Sequence, residues 1–156
     1  MLRSLRQERT GRRGEPSDML YHVVIDTNVL VSALLSARGV QTPTVQILDW
    51  VFRGVLIPLY NEGIIAEYED VLYRDKFGFD KGTVRLILSE IKRIGVRVEA
   101  APSEESFPDP DDRVFFETAL AFHHEHSDTY LVTGNSKHFP VRPFIVTPRQ
   151  MIKIVS

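Results

Sequence analysis

Five short apolar runs punctuate this chain, and between them the apolar residues recur at helical spacing. The runs are His22–Asp26, Val55–Pro58, Gly95–Glu99, Tyr130–Thr133 and Phe144–Val146. Each is short and apolar, as strands covered on both faces are. Helices are expected between them. Asn28–Ser36 has Asp26 or Thr27 available as a cap. A second helix opens at Pro43, runs through Phe52 and is stopped by Gly54. Asn61–Leu72 carries a stripe of Ile64, Ile65, Tyr68, Val71 and Leu72. The helix from Asp80 places Val84, Ile87, Leu88, Ile91 and Ile94 three and four apart. A further helix starts at Asp109–Pro110 and reaches about Glu125, and a short one closes the chain from Pro148. Strand alternating with helix predicts an α/β fold with a parallel sheet covered on both sides.

Composition removes several kinds of chemistry. The 156 residues include no cysteine, which excludes a disulfide scaffold, a thiolate zinc site, an iron–sulfur cluster and a cysteine nucleophile. Nineteen basic against twenty-one acidic residues rule out capture of nucleic acid by bulk positive charge. No apolar run is long enough to span a bilayer, so a single soluble domain in the cytoplasm is expected.

The charges are unevenly spread. Residues 1–18 hold five arginines and three acids with almost no apolar content, and lack the apolar centre of a signal peptide. They are read as a flexible basic leader or upstream extension, and 19–156 as the folded domain. Within 19–156 the net charge is −4, from fourteen basic and eighteen acidic residues. The stretch 74–97 alone carries seven basic and three acidic residues, a basic flank that could guide RNA, contact a partner or simply be a solvated helix face.

In an open parallel sheet, ligands bind beyond the carboxyl ends of the strands, where the strand order switches. Asp26 ends the first strand, and Thr133–Gly134–Asn135 stands at the same end of the fourth. Asp112 shares a helix face with Phe115, Phe116 and Ala119. A carboxylate aimed at the core side is costly unless paired or metal-bound. Alternatively, Asp109 caps that helix and Asp112 favours its positive end. Glu67 and Glu69 flank the stripe of their own helix at equal offsets, so periodicity cannot choose between them. Histidines 123, 124 and 126 suit a helix end better than a metal site. Trp50 and the phenylalanines fit core spacing better than base-stacking platforms. No glycine-rich phosphate loop or nucleophile elbow is present. Asn28 stands where aspartyl phosphatases need their second Asp.

Taken together, Asp26–Thr27–Asn28–Val29–Leu30 after an apolar strand, a helix carrying Glu67, Asp109–Pro110–Asp111–Asp112 before a helix with Ala119, and Leu131–Val132–Thr133–Gly134–Asn135 resemble the PIN-domain nucleases. The likeness is greatest to the toxin subunits of bacterial and archaeal toxin–antitoxin pairs, and it covers about 22–150. It implies a three-layer α/β/α sandwich with a five-stranded parallel sheet, and a Mg²⁺- or Mn²⁺-dependent endoribonuclease. By resemblance the metal ligands are Asp26, Glu67 and Asp112, with Asn135 in the fourth place and Thr133 beside it. Asp112 is preferred to Asp111 because the family's acid stands seven residues before a helix alanine. Asn28 and Lys137 are the candidate substrate contacts. The implied partners are RNA, a small antitoxin protein and, by analogy, a second copy of the chain. Many of these sequences have Asp where this chain has Asn135, which removes a charge and puts a second metal in question. A PIN-like module that binds RNA or protein without cutting is the other reading.

Overall fold

The computed structural model describes residues 20–36 and 38–156. The leader expected over 1–18 lies outside the described residues. Five strands, β1 (Tyr21–Ile25), β2 (Leu56–Tyr60), β3 (Val96–Arg97), β4 (Thr129–Val132) and β5 (Ile145–Val146), form one sheet in the order β3-β2-β1-β4-β5. Every pairing is parallel. Among the described residues six α-helices cover it: α1 (Thr27–Leu35), α2 (Pro43–Phe52), α3 (Glu62–Leu72), α4 (Lys81–Ile94), α5 (Arg113–His123) and α6 (Pro148–Val155). The result is a three-layer α/β/α sandwich. Among the described residues no helix is long and apolar enough to cross a membrane.

β1 is central because its sequence tolerates cover on both sides: Val23, Val24 and Ile25 are buried. Strand order reverses around it. β2 and β3 continue to one side, whereas β4 returns to the other, with Ile25 in register with Val132. A crevice therefore opens at the carboxyl ends of β1 and β4.

The boundaries differ from the sequence reading where neighbours decide them. β2 continues through Pro58 to Tyr60. The Pro58 carbonyl faces Gly95 and the sheet edge, and β3 pairs only from Leu59 onward, so the missing N–H forfeits no ladder bond. β3 is two residues long rather than five, because it is an exposed edge strand with one partner. Gly95 is required before it. A Cβ there would come within 2.5 Å of both the Ile91 and the Pro58 carbonyl oxygens. The helix expected from Asp109–Pro110 begins as a 3₁₀ turn at Pro110–Asp112 and becomes α-helical at Arg113.

Asn61 ties three elements together. Its Oδ1 accepts from the Ile64 N–H at 3.0 Å and so caps α3, while its Nδ2 donates to Thr118 Oγ1 on α5 at 2.7 Å and to the Val98 carbonyl beyond β3 at 3.0 Å. Losing a cap and leaving buried groups unpaired costs about 2–4 kcal/mol in total. Asn61→Ala is expected to lower the urea unfolding free energy by that order. Asn61→Ser, which keeps a capping oxygen but no amide donor, should fall between the two.

Candidate active site

Asp26 follows the last residue of β1 and occupies the cap position of α1, yet its side chain does not cap the helix. Thr27 does not cap it either; its Oγ1 is buried without a hydrogen-bond partner. The Asp26 carboxylate instead turns to β4. The Asp26 N–H donates to the Val132 carbonyl at 2.9 Å, and Thr133 Oγ1 donates to Asp26 Oδ2 at 2.7 Å. The Asn135 N–H in turn donates to Thr133 Oγ1 at 3.0 Å. A chain of three groups thus orients one carboxylate. Asp26 is 5% exposed, and its loss of water raises its pKa, although the Thr133 hydroxyl works the other way.

Asp112 faces Asp26 across a cleft of about 320 Å³. Its Oδ2 is buried and makes no hydrogen bond; the nearest cationic candidate is His138, whose Nδ1 is 3.7 Å away. Burial, and next the negative charges of Asp26 and Asp109, push its carboxyl up to about 6. Asp109 does cap the 3₁₀ turn, accepting from the Asp111 N–H at 2.9 Å, and it lines the cleft as well.

Glu67 enters from α3 on the far wall, half-buried, whereas Glu69 is exposed and outside the cleft. The choice is made by Tyr68, whose hydroxyl donates to the Ile25 carbonyl at 2.5 Å and fixes the rotation of α3. Burial raises the Glu67 pKa first, then Asp111, Asp70 and Asp109. Its electrostatic neighbours therefore differ from those of Asp112. The acids share one cleft: Asp26 acts on Asp112 and Asp70 on Glu67, while Asp109 and Asp111 act on both. Among the described residues, no three His, Asp or Glu side chains stand close enough together to ligate one ion as placed.

Asn135 and Asn28 also line the cleft. Asn28 Oδ1 accepts from the Gly134 N–H at 3.1 Å, leaving its amide nitrogen for another partner. Asn135 Nδ2 lies 3.1 and 3.2 Å from the two ring nitrogens of His138. Lys137 is not brought to the cleft; it is exposed and lines a neighbouring hollow with Phe139 and Arg142.

His138 and Phe77 were not singled out from sequence, and Asp111 was set aside there in favour of Asp112. His138 sits on a one-turn 3₁₀ helix, Ser136–His138, that no periodicity announces. Trp50 is in the core as expected, but Phe77 is half-buried at the cleft. His123 and His126 lie at the opposite end of the sheet, against Phe144 and Phe122 respectively.

A family model described as "PIN domain" matches residues 22–137, from β1 to the turn that carries Lys137. No curated protein and no solved structure matches the chain.

The raised Asp112 pKa sets a pH dependence. An acid whose folded pKa lies above its unfolded value binds more protons when folded, so stability falls as pH rises from about 4 to about 6 and is level above. The penalty at neutral pH is about 2–3 kcal/mol. In the presence of a chelator, Asp112→Asn is expected to raise the urea unfolding free energy by that amount at pH 7.5. The gain should shrink to about 1 kcal/mol at pH 4.5.

Proposed function

The chain belongs to the PIN-domain family, and from that premise we propose that it is a metal-dependent endoribonuclease that hydrolyses RNA phosphodiester bonds. PIN domains are generally nucleases. The observation that carries the reading here is the buried, unpartnered Oδ2 of Asp112 opposite the desolvated carboxylate of Asp26. Two carboxylates whose pKa values burial raises, the charge of Asp26 adding to the shift at Asp112, are the environment a divalent cation relieves. Every side-chain donor available to such a cation is an oxygen or His138, which suits Mg²⁺ or Mn²⁺. Asp26 and Asp112 would hold the ion, with Glu67 reaching from the other wall and water completing the shell.

When bound, the ion supplies Lewis acidity, lowering the pKa of a water and neutralising charge on the phosphate. The protein's own groups do the rest. Thr133, braced by the Asn135 N–H, keeps Asp26 in one orientation. Asn28, its oxygen engaged by Gly134, directs its amide N–H groups to a phosphate oxygen. Lys137, in the neighbouring hollow, meets a phosphate further along the strand. Water attack of this kind does not use the ribose 2′-hydroxyl. The toxin role, a small antitoxin partner, a homodimer and work in the cytoplasm are part of the same proposal, resting on the order of the acidic motifs.

Asn135 favours one other reading, a PIN-like module that binds RNA or protein without cutting, because an amide stands where many relatives place a carboxylate. The two separate in one set of measurements. Wild-type protein with Mn²⁺ is expected to cut RNA, including a 2′-deoxy scissile linkage, and to gain thermal stability from the ion. Asp26→Asn should retain the circular dichroism of the fold but lose about 100-fold or more of the activity and most of the Mn²⁺ stabilisation. Equal activity in the variant and wild type would overturn the enzyme reading. Mn²⁺ stabilisation without cleavage would favour the binding module.

A further inference from the structure

The loop between α3 and α4 presents an aromatic ring to the acidic cleft. Phe77 and Phe79 stack nearly parallel, with ring centroids 5.3 Å apart and planes 7° from each other. They differ in what lies behind them. Phe79 packs against the hydrophobic core, whereas Phe77 does not belong to it; Phe77 is half-buried and lines the cleft with Glu67 and Val71. Phe79 therefore serves as the footing, and Phe77 as the outer ring.

The backbone holds this arrangement. The Phe77 N–H donates to the Arg74 carbonyl and the Gly78 N–H to the Asp75 carbonyl, both at 3.1 Å, making a tight turn. Gly78 then takes a left-handed φ of +63°, which reverses the chain so that the two rings face each other. Open space surrounds Gly78, so its conformation rather than crowding calls for glycine.

Lys76 Nζ lies over the Phe77 ring, 5.1 Å from its centroid, on a flexible side chain that can swing aside. Among the described residues Lys76 has no carboxylate partner, unlike Arg74, which pairs with Asp70 at 2.8 Å. An exposed ammonium and a half-buried ring at the edge of the proposed phosphodiester-cleaving site match the two halves of one nucleotide. A base has a π-face for the ring, and its phosphate has charge for the lysine. We propose that Phe77 is a stacking platform for an unpaired nucleobase beside the scissile phosphate, with Lys76 engaging that nucleotide's phosphate. The proposal rests on the nuclease reading above and requires an unstacked base at this point, since within a duplex both faces of a base are covered by its neighbours. It also departs from the sequence expectation that the phenylalanines serve the core.

The test is cleavage of a single-stranded oligoribonucleotide in Mn²⁺, with each base in turn replaced by an abasic position. Stacking on an aromatic side chain contributes about 5- to 100-fold per base. In wild type, one position next to the cut should show a loss of that size in kcat/KM when its base is removed. Phe77→Ala and Phe77→Leu should each lose about as much on the intact strand and be indifferent to the abasic change. Phe77→Trp should behave as wild type, which separates stacking from apolar bulk and from misfolding. A Phe77→Ala protein that cuts within twofold of wild type, or that keeps the wild-type abasic profile, overturns the platform while leaving the nuclease reading intact. A wild-type chain that cuts no RNA overturns both.

Discussion

A carboxylate placed at the end of a central strand loses most of its water, and at Asp26 the surrounding structure is arranged to meet that cost. β1 must be central for the sheet to cover Val23, Val24 and Ile25, and its end then falls at the reversal of strand order. A buried charge without a partner is expensive. Thr133, arriving in register at the end of β4, supplies the hydrogen bond, and the backbone of Asn135 holds Thr133 in turn. The parallel pairing of two strands thus does the orienting, and a side-chain geometry built on strand ends is stiffer than one built on loops alone.

The second acid makes the same site costly. Asp112 sits where a helix stripe would have an apolar residue, and its buried oxygen finds no donor among the described residues. Folding buries it and holds it near the charge of Asp26, and the two together push its pKa up to about 6. Such strain persists only because the rest of the domain over-determines it. Asn61, joining α3, α5 and the segment after β3, is one of the groups that keep the walls of the cleft in place. Under the proposed function, stability and cation affinity would pull against each other at Asp112: the feature that weakens the fold is the one that would favour a bound ion.

Much of this was legible in the sequence, and the exceptions share a cause. The strands showed as apolar runs, the helices as stripes, and Asp26 and Asp112 as carboxylates in apolar company. Periodicity reports which side of an element is buried, but not its rotation about its own axis to within one residue. That is why Glu67 and Glu69 looked equivalent until the Tyr68 hydroxyl met the Ile25 carbonyl across the fold. Elements too short to have a period gave no signal at all. His138 lies on a single 3₁₀ turn and Phe77 on a four-residue reversal, so both reach the cleft unannounced. β3 came out short for a related reason, because an edge strand pairs only as far as its one neighbour allows.

The amide at position 135 is better understood together with His138 than as a missing carboxylate. Its backbone N–H braces Thr133 whatever side chain it carries. Its side-chain nitrogen lies within hydrogen-bond reach of the His138 ring, and His138 lowers the pKa of both Asp26 and Asp112. An aspartate at this position would add another negative charge to a cleft that already holds Asp26, Glu67, Asp109, Asp111 and Asp112, and would compete with Asp112 for His138. Asparagine keeps the brace and the histidine contact without that charge. The departure from the family pattern thus lowers the repulsion that folding must overcome.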